Sequence, residues 1–269
     1  MKKNRILVGI DYSKSSENAL QYALMLARKT PTKIILLHVF EFPIIHTNSG
    51  LYTMDYKAMK ENDLARLSKV KEQALKKFPK AEIELLNTTD SIKSFVKDLA
   101  SKKKIDYVVL GLETKSKISK FIYGTTGVNL STRIDCPVII VPESYKIHKL
   151  DKTVISVDNK ETIKKRTADK AIGFTEQHGA SHQMLYIKTE DDFLLIYEKN
   201  PKKQNKKWDI KTLEAKDFES GINKYMISNP TDMIVLFSKS YSALYRFFNE
   251  TNTKVIAFQS KVPVMSIHK

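Results

Sequence analysis

Gly111, Gly124, Thr125 and Thr126 are the residues whose types and spacing could do chemistry, and the chemistry is anion binding. Gly111 closes a short apolar run, Tyr107-Val108-Val109-Leu110, that is too short for a helix and reads as a buried strand. A basic loop follows, and Gly124-Thr125-Thr126 opens a helix with Val128, Leu130 and Ile134 on its apolar side. The first N–H groups of such a helix have no internal partner, and its dipole favours an anion there. The same Thr is also an ordinary N-cap, so this pattern by itself is a weak signal. Asp11 stands at the end of another apolar run, Arg5 to Ile10, where it can either cap the next helix or accept hydrogen bonds from a ligand.

The elements that must position these residues alternate in type. Strands are predicted at residues 5–10, 33–40, 83–86, 107–110 and 138–141. Between them lie helical stretches. The first, capped by Ser13 or Ser15, carries Ala19, Leu20, Ala23, Leu24 and Ala27 on one face. A long charged helix runs from about Asp55 to Phe78, and a third is capped by Asp90 or Ser91. Residues 42–51, with Pro43, Asn48 and Gly50, are predicted to be a loop. The strands are apolar throughout rather than alternating, as expected when helices cover both faces of a parallel sheet. Right-handed crossovers then favour the flavodoxin-like (Rossmann-like) strand order 3-2-1-4-5. Ligands in such sheets bind at the carboxyl ends of the strands beside the reversal, here at Asp11 and Gly111.

The stretch from Gly111 onwards resembles the universal stress protein family. Nucleotide-binding members show Gly-x2-Gly-x9-Gly-(Ser/Thr) after the fourth strand. Here the spacing is Gly111-x2-Thr114-x9-Gly124-Thr125, followed by a family-like Cys-Pro-Val-x-x-Val at 136–141. Thr114 departs from the pattern, and Glu113 beside it would set a carboxylate near a triphosphate. The resemblance implies ATP or a related adenine nucleotide, with Mg if bound. It gives Asp11 and Val39 to the nucleoside, Gly111 and Thr114 to the ribose and phosphate loop, and the N–H groups of Gly124, Thr125 and Thr126 to the phosphates. It implies a stress-response binding and regulatory module without catalytic residues. The alternatives are a member that binds no nucleotide and acts only through protein contacts, and a slow ATPase.

The pattern recurs. Asp106 falls on Asp232, Thr125 on Thr251 and Pro137 on Pro263 at one offset without a gap. Upstream, Thr153 to Asp158 repeats the first strand and His182 to Lys188 the second at a larger offset, so the second half is shorter between its second and third strands. The chain therefore reads as two α/β domains, 1–147 and 148–269, each a five-stranded parallel sheet of order 3-2-1-4-5 with helices on both faces. In the second, Phe237 replaces Gly111 and Glu250 replaces Gly124, so the ligand positions are lost. The last strands of the two domains, 138–141 and 264–267, are apolar edges expected to pair as an intramolecular pseudo-dimer. A homodimer and an unidentified regulatory protein are the other partners this reading leaves open.

Composition narrows the function classes. The net charge of +16 is mostly lysine, spread over both halves, without clustered Arg and interleaved aromatics, which argues against specific nucleic-acid binding. No run approaches the roughly 18 apolar residues of a membrane helix, and one cysteine excludes an internal disulfide, so a cytoplasmic protein is expected. Cys136 reads as a small core residue and His38 as a satisfied strand histidine. His178 and His182 have a ligand-like spacing, but with Gly179 between them a metal site is not expected. No phosphate-loop or nucleophile-elbow motif is present.

Overall fold

The computed structural model describes residues 3–41, 44–47, 50–53, 55–113, 130, 134–157, 165–189, 209–238 and 262–268. The first half contains β1 (Asn4–Gly9), α1 (Lys14–Ala27), β2 (Thr32–Val39), the short pair β3 (Ile44–Thr47) and β4 (Gly50–Thr53), and α2 (Tyr56–Lys77). It continues with β5 (Glu82–Thr88), α3 (Ile92–Ser101), β6 (Tyr107–Leu112) and β7 (Val138–Pro142). The second contains β8 (Lys152–Val157), α4 (Lys165–Gln177), β9 (Ser181–Lys188), β10 (Ile210–Glu214), α5 (Phe218–Ser228), β11 (Met233–Ser238) and β12 (Val264–His268).

One ten-stranded sheet runs through the molecule in the order β10-β9-β8-β11-β12-β7-β6-β1-β2-β5. Within each half every pairing is parallel. Where the halves meet, β12 runs antiparallel to β7, with Val264 opposite Ile140 and Ser266 opposite Val138. Counting strands within either half gives 3-2-1-4-5, and the reversal falls between β1 and β6 in one and between β8 and β11 in the other. The central strands are buried because helices cover them: Leu7, Val8, Val108, Leu110, Val138 and Ile139 have essentially no exposed surface. Their apolar side chains form one continuous core with Val235, Val264 and Met265 across the junction.

The helices start where their caps place them. Ser13, in extended backbone, accepts from Ser16 N–H and opens α1; Asp55 does the same for α2 and Ser91 for α3. In α5, Asp217 and Ser220 satisfy each other's backbone N–H groups. The stretch expected to be a loop after β2 is instead an antiparallel hairpin, with Ile44 opposite Thr53 and Thr47 opposite Gly50. Ile44, Ile45, Thr47 and Thr53 are β-branched and favour extended backbone, and that preference outweighs the turn cues of the segment.

The repeated residues make repeated bonds. Asp106 N–H donates to the Arg5 carbonyl and Asp232 N–H to the Lys152 carbonyl, both at 2.8 Å. Val108 N–H donates to the Pro137 carbonyl and Ile234 N–H to the Pro263 carbonyl, both at 3.0 Å. Among the described residues no helix is long and apolar enough to cross a membrane.

Candidate functional site

Asp11 follows the carboxyl end of β1, one of the two strands that flank the reversal. Its Oδ1 accepts from Ser13 N–H at 3.0 Å and from Ser13 Oγ at 2.5 Å, which pins the carboxylate over the first turn of α1. Ser16 Oγ in turn accepts from the Asp11 N–H. Its Oδ2 has no hydrogen-bond partner among the described residues. The first helix is thus capped by Ser13 while Asp11 orients the cap.

Gly111 lies beside this turn for a steric reason. A Cβ built on it would sit 2.3 Å from the Ser15 carbonyl carbon and oxygen and 2.7 Å from Ser16 N. No side chain can occupy that space, so the glycine lets the backbone of α1 come down on β6. The structure therefore brings Asp11, Ser13, Ser15, Ser16 and Gly111 together at the reversal. Val39 ends β2 next door, half-buried and opposite Thr88 of β5. Thr114, Gly124, Thr125 and Thr126 lie outside the described residues. In that region Leu130 and Ile134 are described: both are buried, and Ile134 N–H donates to the Leu130 carbonyl, a helical spacing.

A second cluster, which the sequence reading did not single out, frames the same edge. Asp63 on α2 is 6% exposed, yet its carboxylate is well supplied with donors. His38 Nδ1 lies 2.6 Å from Oδ1, the Tyr12 hydroxyl donates to Oδ1 at 3.3 Å, and Asn87 Nδ2 donates to Oδ2 at 3.1 Å. One carboxylate thus ties together the turn between β1 and α1, the end of β2, the end of β5 and helix α2. Tyr12 has φ of +64°, a backbone state that a bulky side chain adopts only when its surroundings hold it. Its ring is flanked by His38, 4.7 Å away, and by the Arg66 guanidinium, 4.2 Å from the ring centre. Burial and the nearby Asp63 charge push the Tyr12 hydroxyl up to about 12, so it remains a donor at neutral pH. His38, expected to be a satisfied strand histidine, has its partner in Asp63. The signal for Asp63 was present: residues 63, 67, 70 and 74 fall on one stripe of α2, and the acid occupies a place in a line of Leu67, Val70 and Ala74.

The remaining candidates have local explanations. Cys136 is buried, and desolvation raises its thiol to about 12, which leaves it a neutral core group. His178 Nδ1 faces the Phe174 carbonyl at 2.8 Å, whereas His182 Nδ1 faces Thr175 Oγ1 at 3.4 Å, so the two rings have separate partners. In the second half, Phe237 of β11 is half-buried where its counterpart is Gly111.

Comparison with known proteins agrees with this architecture. Residues 3–142 match the model of the universal stress protein family. A universal stress protein of Bacillus subtilis is 28% identical over 147 residues, 51% of this chain and 98% of its own. One of Methanocaldococcus jannaschii is 24% identical over 144 residues, 53% of this chain and 84% of its own. The crystal structure of a universal stress protein from Archaeoglobus fulgidus matches the fold along the whole chain. Its TM-score is 0.66 at 15% identity, covering 100% of this chain and 99% of that one. A Pseudomonas aeruginosa protein of unknown function shares the fold with a TM-score of 0.56 at 14% identity, covering 98% and 92%. With its first 142 residues fitting the family model and its whole length following the fold of a solved member, the chain belongs to the universal stress protein family.

Proposed function

We propose that this protein is a non-catalytic regulatory module whose N-terminal half binds one adenine nucleotide at the carboxyl edge of β1, β2 and β6. The observation that carries this reading is Asp11. Its carboxylate is fixed by Ser13 through one oxygen, and its other oxygen accepts nothing from the described residues at the strand reversal where ligands of such sheets bind. A carboxylate held in this way suits the paired hydroxyls of a ribose. Val39, at the end of the neighbouring strand, would offer apolar contact to the base. Gly124, Thr125 and Thr126 would supply N–H groups to the phosphates, as the sequence pattern implies. The second half carries Phe237 in place of Gly111, so one nucleotide per chain is the stoichiometry of this reading.

The test is direct. Purified protein is denatured and the supernatant run on an anion-exchange column, and the stripped, refolded protein is titrated with ATP by calorimetry. Binding at one site per chain, weakened at least tenfold by Asp11→Ala, is the expected result. Absence of nucleotide from the supernatant together with no heat on titration overturns the reading in favour of a module working through protein contacts alone. Release of ADP on prolonged incubation would overturn the non-catalytic part.

A further inference from the structure

A groove of about 620 Å3 lies away from the carboxyl edge, along the flank of α1, under the connector between the halves and beside the end of α4. Its size is that of a small-molecule site. Its polar lining is of one sign. Arg28 and Lys29 follow α1, Lys77 ends α2 and Lys146 comes from the connector, and the lining includes no Asp or Glu. A fifth cation, Lys149, is paired with Asp151, but the other four have no acidic partner among the described residues. Three helices end here, α1, α2 and α4, each presenting roughly half a negative charge. Four full positive charges exceed that, so most of the charge is left over.

The rest of the lining is apolar. Met25, Leu26, Phe78, Ile147 and Leu150 line it together with Tyr145, and Arg28 is stacked 4.6 Å over the Phe78 ring. His178 adds a wall rather than a charge: it is 3% exposed, Nδ1 is taken by the Phe174 carbonyl, and burial lowers its affinity for a second proton. A bare inorganic anion would use the cations and waste the apolar surface. A neutral apolar ligand would leave the cations uncompensated.

We propose that this groove is a second binding site, distinct from the strand-reversal edge, for a small amphipathic carboxylate, with its headgroup among Arg28, Lys29, Lys77 and Lys146 and its hydrocarbon against Met25, Phe78 and Ile147. The connector over the groove is held by both halves. Asn18 Nδ2 of α1 donates to the Pro142 and Tyr145 carbonyls, at 2.8 and 3.1 Å, and His148 meets Asp232 at 2.9 Å. A ligand here would therefore touch the segment that joins the halves.

The experiment titrates the full chain with three probes below their micellar concentrations. Decanoate has head and tail, decyltrimethylammonium has the same tail with the opposite charge, and inorganic phosphate is a head without a tail. Decanoate is expected to bind at one site per chain, at least tenfold more tightly than either of the others, and equally well with saturating ATP present. The double variant Lys29→Glu/Lys77→Glu should weaken decanoate at least tenfold. Lys102→Glu/Lys103→Glu, which changes net charge equally away from the groove, should leave it within twofold. Equal binding of phosphate would reduce the site to general positive charge, and equal binding of the ammonium probe to greasiness alone; either overturns the proposal. So does competition by ATP, insensitivity to the Lys29/Lys77 reversal, or no decanoate binding at millimolar concentration.

Discussion

Asp63 and Gly111 carry much of the shape of the strand-reversal edge, and they do so by opposite means, one by attracting donors and the other by having no side chain. Replacing Asp63 with Ala would leave His38, the Tyr12 hydroxyl and Asn87 without their shared acceptor and remove what holds Tyr12 in its left-handed backbone state. Removing one member of a buried polar network costs about 3 kcal/mol. Urea denaturation of Asp63→Ala should show a loss of that size, and an unchanged midpoint would mean the network is not formed. Gly111→Ala forces a Cβ against the Ser15 backbone, which must move. Overpacking of this kind costs on the order of 1–3 kcal/mol, so a melting temperature several degrees lower is expected. At this scale the sequence was partly legible. Asp11 and Gly111 stood out because they end apolar runs, but the reason for Gly111 did not, since the approach of α1 is visible only in three dimensions. Asp63 was hidden among Glu61 and Asn62, on a helix whose charge reads as a solvated face.

Elements were more legible than residues, because strand and helix periods are local properties. The five strands that the first half gives to the main sheet and its three described helices lie where apolar runs and caps predict them. The exception, β3 and β4, shows β-branched residues prevailing over a stretch that contains proline and glycine. In the second half the repeat was read from Asp232 and Pro263, and both make the same backbone bonds as Asp106 and Pro137. The third strand of that half, β10, is mostly exposed and polar, which is why no apolar run announced it. Ile140 of β7 tests the sheet most directly, because it is opposite Leu110 on one side and Val264 on the other. A proline there deletes a ladder donor in a strand with neighbours on both sides, a position that proline does not occupy in central strands. Ile140→Pro should loosen the junction and speed proteolytic cleavage between residues 142 and 152. Protease resistance equal to wild type would place the join elsewhere.

The molecule as a whole is held across its middle by the strand pair and by the connector, and the connector is expected to respond to pH. His148 directs Nε2 at Asp232 Oδ1 and Nδ1 at the Lys146 carbonyl, two acceptors that only the doubly protonated ring satisfies. These bonds, with the Asp232 and Asp151 charges, raise His148 above its ordinary 6.5 despite some desolvation. Burial pushes Asp232 up, but the bonds from His148 and from the Asp151 and Lys152 N–H groups outweigh it and hold the carboxyl below 3.8. The raised histidine contributes fully below pH 6.5 and its share is lost as pH rises through its folded value. The lowered aspartate contributes fully above pH 3.8 and its share is lost as pH falls through its folded value. The latch is therefore complete between about pH 3.8 and 6.5. His148 is half-exposed, so the gain is under about 1 kcal/mol. Cleavage of the connector by a protease active on both sides of neutrality should be faster at pH 8 than at pH 6, and His148→Gln should abolish the difference. The antiparallel meeting of β7 and β12 has a further effect on how the chain can change over time. In a symmetric pair of identical subunits, a residue on the two-fold axis faces its own copy, so every substitution enters twice and must suit itself. Here the residues at that place are Ile139 and Met265, each can be replaced alone, and the association cannot be undone by dilution. The two halves are free to drift apart in sequence while remaining partners, and the loss of glycine at Phe237 is a change that such freedom permits.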